Sequence, residues 1–197
     1  MADNSRKTAG GKASGNKWST KQLVVVALMC ALAILLSFIE FPIFPAASFL
    51  KLDVALVPVA VIGFAYGAGP GVLCGIASAV AHAVLSGNWV GAIMTIIVAI
   101  AYVVPSALIY SKKRTFSGAT IGLVVGSVCL VVGACVANLV IDPLLYGMPF
   151  DAVAAIIVPA ILPFNVIKCI VVSVLTAIVY KSISDLITAE KDQVKGR

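Results

Sequence analysis

The sequence predicts an all-α membrane protein with six transmembrane helices, and three observations carry that prediction. Hydrophobic residues make up 61% of the 197 and charged residues only 11%, whereas a soluble domain is about half apolar and about a quarter charged. From Val54 to Ser111 there is no Asp, Glu, Lys or Arg. As one helix that stretch would be about 87 Å long, enough for roughly three crossings of a bilayer core about 30 Å thick. The basic residues, finally, gather at the two chain ends and in one cluster, Lys112-Lys113-Arg114, with only Lys51 and Lys168 elsewhere. That is the distribution of a chain whose basic segments stay cytoplasmic. It accounts for the net charge of +6 through contact with the lipid surface rather than with nucleic acid. A soluble enzyme, a nucleic-acid-binding domain and a disordered chain are excluded.

Residues 1–21, rich in Lys, Gly, Ser and Asn, read as a flexible basic cytoplasmic tail. The membrane domain then spans 22–185, and 186–197 form a cytoplasmic C-terminal tail. Within the domain, span one runs from Leu23 to Phe44, where Pro42 and Pro45 end it. A loop to Asp53 follows. Span two, Val54 to Tyr66, is short and stops at the turn signal Gly67-Ala68-Gly69-Pro70-Gly71. Span three reaches Leu85, before Ser86-Gly87-Asn88. Span four covers Val90 to Tyr110 and meets the basic cluster. Span five covers Ala119 to Ile141, with a loop from Asp142-Pro143 to Asp151. Val153 to Pro163, interrupted by Pro159 and Pro163, reads as a short loop helix leading into span six, Pro163 to Tyr180. Six crossings put both termini on one side, and the basic clusters make that side the cytoplasm. Loops 45–53, 86–89 and 142–156 then face outside. No internal repeat is visible, which argues against an inverted-repeat transporter.

Polar residues at apolar positions are costly unless partnered, and so mark function. They are Glu40, His82, Asn138, Asn165 and Lys168. Glu40 and Asn138 fall near the outer ends of spans one and five. Asn165 and Lys168 fall in the first turns of span six, three residues apart and so on one face. Four polar groups from three helices thus share one depth, as expected of a polar pocket open to the outside. Two other readings stay open: a buried Glu40–Lys168 ion pair, and asparagines that join helices. His82, among alanines, reads as a packing or hydrogen-bonding residue. Aromatics gather on the same side (Phe38, Phe41, Phe44, Phe49, Trp89, Tyr146, Phe150 and Phe164), as interfacial anchors or as walls for a flat ligand.

Ala27 and Ala31 on span one, with Ala33 nearby, and Gly71, Gly75 and Ala79 on span three have the spacing that lets helices approach closely. Each set suits either internal packing or a membrane partner. The five cysteines lie in apolar runs, without metal-site or disulfide spacing. No nucleotide-binding loop, no HExxH or GxSxG motif and no line of intramembrane acids is present. A binding protein of this kind needs a partner that supplies energy.

The run Glu40-Phe41-Pro42, then Phe49-Leu50-Lys51-Leu52-Asp53 and Pro58, resembles the riboflavin-specific substrate-binding subunits (S components) of energy-coupling factor transporters. So do Asn138 ahead of Pro143 and Tyr146, and Pro163-Phe164-Asn165-Val166-Ile167-Lys168 ahead of Tyr180-Lys181. The resemblance covers about Ala27 to Lys181. The chain departs from it at Val54–Val57 and in having Ser78, His82 and Ser86 on span three. The resemblance implies a six-helix, multi-pass subunit of a prokaryotic plasma membrane that captures the vitamin from outside, catalyses nothing and needs no cofactor or metal. The loop between helices one and two would lid the pocket. Glu40, Asn138, Phe164, Asn165 and Lys168 would bind the ligand. Ala27 and Ala31 would dock on the transmembrane coupling subunit, which works with two ATP-binding subunits. A subunit for another vitamin or precursor, and an intramembrane enzyme using Lys168, Glu40 or His82, remain the alternatives.

Overall fold

Ser19 starts the chain's first helix by a reciprocal cap. Its hydroxyl accepts from the Gln22 N–H at 3.2 Å, and the Gln22 side chain accepts from the Ser19 N–H at 2.9 Å. The computed structural model describes residues 18–44 and 47–187. The expected tails therefore lie almost wholly outside the described residues. Helix α1 runs Thr20–Ser37, followed by a two-stranded antiparallel ribbon, β1 (Phe41–Pro42) and β2 (Lys51–Leu52). Then come α2 (Leu56–Tyr66), α3 (Ala68–Ser86), α4 (Trp89–Lys112), α5 (Phe116–Leu145), α6 (Phe150–Ile156), a π-helical turn (Ile157–Ile161) and α7 (Leu162–Ile187).

Five stretches are long and apolar enough to cross a membrane: α1, α3, α4, α5 and the run Phe150–Val179 through α6, the π turn and α7. Helix α2, with 11 residues, is about 16 Å long and falls short of a bilayer core. It is apolar all round, and every residue but Tyr66 is buried. A helix of that pattern belongs at the centre. It packs on α1, α3, α4 and α7, and its Leu56, Val59, Ala60 and Ile62 join Tyr102, Val103, Leu130 and Val172 in the main core.

Glycine sets the closest approaches. Gly67, at φ 99°, makes the turn from α2 to α3 in a conformation that side chains disfavour. A Cβ at Gly71 would lie 2.9 Å from Gly63 Cα, so the small residues of α3 serve internal packing. Along α4 and α5, a Cβ at Gly126 would lie 2.0 Å from Ser106 Oγ and 2.7 Å from the Tyr102 carbonyl. Deeper in the bundle, Tyr102 Oη bonds Ser173 Oγ at 2.9 Å and Ser173 bonds Ser127 Oγ at 3.2 Å, joining α4, α7 and α5.

Three boundaries differ from the sequence reading. Helix α1 ends at Ser37 rather than Phe44, because Phe41 and Pro42 enter the ribbon. Helix α5 continues through Asp142 and Pro143 to Leu145. A proline near a helix end forfeits one hydrogen bond without stopping a membrane helix whose neighbours support it. The segment around Pro159 and Pro163 is no separate loop helix: the π turn carries α6 into α7 without a break.

Candidate functional site

A cavity opens where the ribbon and the α1–α2 loop meet α3, α4, α5 and α7. Glu40, Asn138, Phe164, Asn165 and Lys168 all line it. Water centres can occupy about 120 Å³ inside it, room for roughly ten molecules.

Ribbon register positions the first ion pair. Phe41 faces Leu52 and Pro42 faces Lys51, which brings Glu40 beside Lys51, and the two form an ion pair. Lys51 is 42% exposed and Glu40 23%, so water weakens the attraction. A second pair lies deeper. Lys168 Nζ donates to Asp53 Oδ2 at 2.7 Å, with side-chain exposures of 9% and 16%. The other oxygen of Asp53 accepts from the Ala55 N–H at 2.9 Å. Asp53 thus caps the start of α2, where a carboxylate also meets the positive end of the helix dipole. The anticipated Glu40–Lys168 pair does not form: each takes the opposite charge that the ribbon brings nearest.

The two asparagines are built alike. Asn138 Nδ2 donates to the Ala134 carbonyl at 2.7 Å, and Asn165 Nδ2 to the Ile161 carbonyl at 2.8 Å. Both are buried at 3% exposure, and neither makes a second hydrogen bond among the described residues. An amide carries two donors and an acceptor with two lone pairs, so most of this capacity is left over on residues that line the cavity. Their bonds run within their own helices, so they do not join helices. Phe164, buried, supplies apolar wall beside Asn165.

His82 also lines the cavity and meets Phe38 edge-to-face, centroids 4.8 Å apart. Phe49, from the α1–α2 loop, approaches Tyr146 at the end of α5, centroids 6.3 Å apart. These rings join that loop to the far side of the cavity mouth.

Two acids escaped the sequence reading. Asp53 had been assigned to a loop, although it stands two residues from Lys51 and so on the same side of an extended strand. Asp142 had been placed beyond span five. It extends the stripe Ala134–Asn138–Asp142, spaced by four, and lines the cavity at 1% exposure. The spacing was the available signal; Pro143 obscured it.

Away from the cavity, Ala27 and Ala31 are exposed on α1, while Ala33 is fully buried in the core. The described residues contain no group of three or more His, Cys, Asp or Glu side chains able to hold a metal ion.

Residues 21–180 match the family described as ECF transporter, substrate-specific component. The riboflavin transporter RibU of Staphylococcus aureus is 27% identical over 184 residues, covering 90% of this chain and 97% of that protein. The riboflavin transporter FmnP of Bacillus subtilis is 25% identical over 171 residues, covering 81% and 90%. Among solved structures, the S component of a bacterial ECF transporter superposes with a TM-score of 0.76 at 27% identity, over 86% of this chain and 98% of the other. ThiT from Listeria monocytogenes shares the fold, with a TM-score of 0.58 at 18% identity over 85% and 97%.

Proposed function

The chain belongs to the substrate-specific components of ECF transporters, and on that premise we propose that it captures riboflavin from outside the cell. The observation that carries this reading is the cavity wall itself. It sets the under-used amides of Asn138 and Asn165 beside Lys168, Glu40 and the Phe164 ring. Riboflavin has a flat ring with donors and acceptors along one edge, and a polyhydroxyl tail. Phe164 and the apolar wall suit the ring face. Asn165 and Lys168, on one face of α7, suit its edge. Asn138 and Glu40 suit the remaining donors and hydroxyls. The full-length correspondence with relatives named as riboflavin transporters supports the same ligand.

The protein is a multi-pass subunit of a bacterial plasma membrane. It crosses the membrane six times, with α2 as the short central crossing and both termini cytoplasmic. The α1–α2 loop lids the cavity through Phe49 and Tyr146. It is not an enzyme: Lys168 and Glu40 are held in ion pairs rather than poised as acid or base. Energy comes from a transmembrane coupling subunit with two ATP-binding subunits, which Ala27 and Ala31 engage.

Titrating detergent-purified protein with riboflavin, followed by quenching of flavin fluorescence, tests the assignment. Asn165→Ala and Asn138→Ala should each weaken binding by about 1–3 kcal/mol, the cost of a buried polar group left without its partner. That corresponds to roughly a tenfold to hundredfold loss of affinity. His82→Ala should do far less. Wild-type affinity in both folded asparagine variants would sink the site, and tight binding of a different vitamin in place of riboflavin would sink the ligand.

A further inference from the structure

The cavity wall carries three carboxylates, Glu40, Asp53 and Asp142, and two lysines, Lys51 and Lys168; His82 and Tyr146 are its remaining titratable groups. Each lysine is matched to an acid, Lys51 to Glu40 and Lys168 to Asp53. Asp142 is the acid left over. It is 1% exposed, and its Oδ2 has no hydrogen-bond partner. A buried acceptor without a donor is costly, and a native protein keeps one when something else supplies the donor. Here Asp142 lies one helical turn past Asn138 and one turn before Tyr146, and all three line the cavity. The missing donor therefore comes from the cavity's occupant.

We infer that Asp142 is a specificity-determining residue: it accepts a hydrogen bond from an N–H or O–H of the bound ligand and selects neutral ligands over anionic ones. The inference rests on the riboflavin reading above and adds the sign of charge that the site tolerates. With both lysines already neutralised, no cation on the wall is free to meet a phosphate or carboxylate. An anionic ligand would place like charges together in a poorly hydrated space, where repulsion is strong. The free vitamin is thus favoured over its phosphorylated form, which shares the ring and differs in the charge of the tail.

The test is a pair of titrations of the full-length, detergent-purified protein, with riboflavin and with riboflavin 5′-phosphate. Wild type should prefer riboflavin. Asp142→Asn keeps the size and an acceptor but removes the charge. It should hold riboflavin within about fivefold of wild type while narrowing the preference by about tenfold or more, the range expected for one close charge interaction. Asp142→Glu should keep the preference. A folded Asn variant whose ratio stays within about twofold of wild type overturns the inference. Should the variants not fold, wild type alone decides, through flavins bearing tails of equal length that end in a neutral, an ammonium or a carboxylate group. The carboxylate must bind weakest, and equal binding of carboxylate and neutral tails overturns the inference. A wild-type protein that binds no flavin overturns the riboflavin reading and this inference with it. Flavin binding with an unchanged ratio overturns the inference alone.

Discussion

Replacing Lys168 by Met keeps the length of the side chain and removes its charge, which leaves Asp53 without its ammonium partner. The pair is close, 2.7 Å, and largely shielded, at 9% and 16% exposure. At an effective dielectric of about 20 the attraction is about 6 kcal/mol, most of it offset by the cost of taking two ions from water. Removing one member of a buried pair costs about 3–5 kcal/mol. Asp53 retains the Ala55 N–H at 2.9 Å and the start of α2, so its loss should lie nearer 2–3 kcal/mol, since a helix N-terminus offsets up to about 1 kcal/mol for a carboxylate. Asp53→Asn should cost more, because Lys168 makes no other hydrogen bond among the described residues. For a chain of this size about 1 kcal/mol corresponds to about 2–4 °C, so Lys168→Met should lower the midpoint of the ligand-free protein by about 5–10 °C. The double variant removes both charges and should recover about 2 kcal/mol or more of the summed loss. Thermal unfolding in detergent, followed by intrinsic tryptophan fluorescence, reads all four proteins. Single losses that add within about 0.5 kcal/mol would refute the pairing.

Three further outcomes follow from other parts of the molecule. Ala27→Leu or Ala31→Trp, on the exposed face of α1, should abolish cellular uptake while purified protein still binds ligand; joint loss of both would make the pair internal packing. Gly126→Val should destabilise the α4–α5 seam by about 2–4 kcal/mol, as severe overpacking does, because its Cβ would lie 2.0 Å from Ser106 Oγ. Gly69→Ala, with nothing within 4 Å, should be neutral or up to about 1 kcal/mol stabilising, and unfolding midpoints compare the two. A single reactive cysteine at position 113 should resist membrane-impermeant labelling from outside intact cells, and labelling there would reverse the proposed orientation.

The polar residues that interrupt apolar runs were legible without coordinates. Glu40, Asn138, Asn165 and Lys168 stood out because a bilayer makes each of them expensive, and counting crossings placed them at one depth. What escaped was pairing. Whether Lys168 meets Glu40 or Asp53 depends on the register of a ribbon two residues long per strand, which no hydropathy pattern encodes. Asp142 escaped for a different reason. Pro143 reads as a terminator in water, but in a bundle the neighbouring helices hold the chain past it, and α5 extends to Leu145. The small residues of α1 and α3 were alike on paper. Burial separates them: Gly71 and Gly75 meet α2 and α4 inside the bundle, and Ala27 and Ala31 face outward.

The π-helical turn at Ile157–Ile161 has a consequence for how this chain tolerates length changes. Such a turn holds one residue more than an α-helix would, and each α-helical residue rotates the chain by about 100°. The turn therefore acts as a phase shifter between α6 and everything after it. Deleting a single residue from Ile157–Ile161 would cost little length, about 1.5 Å, but would swing Phe164, Asn165 and Lys168 together by over a quarter of a revolution, away from the cavity and toward the lipid-facing side. A gap of one residue here, which in a loop would be slack, is in this helix a change of azimuth for the whole binding face.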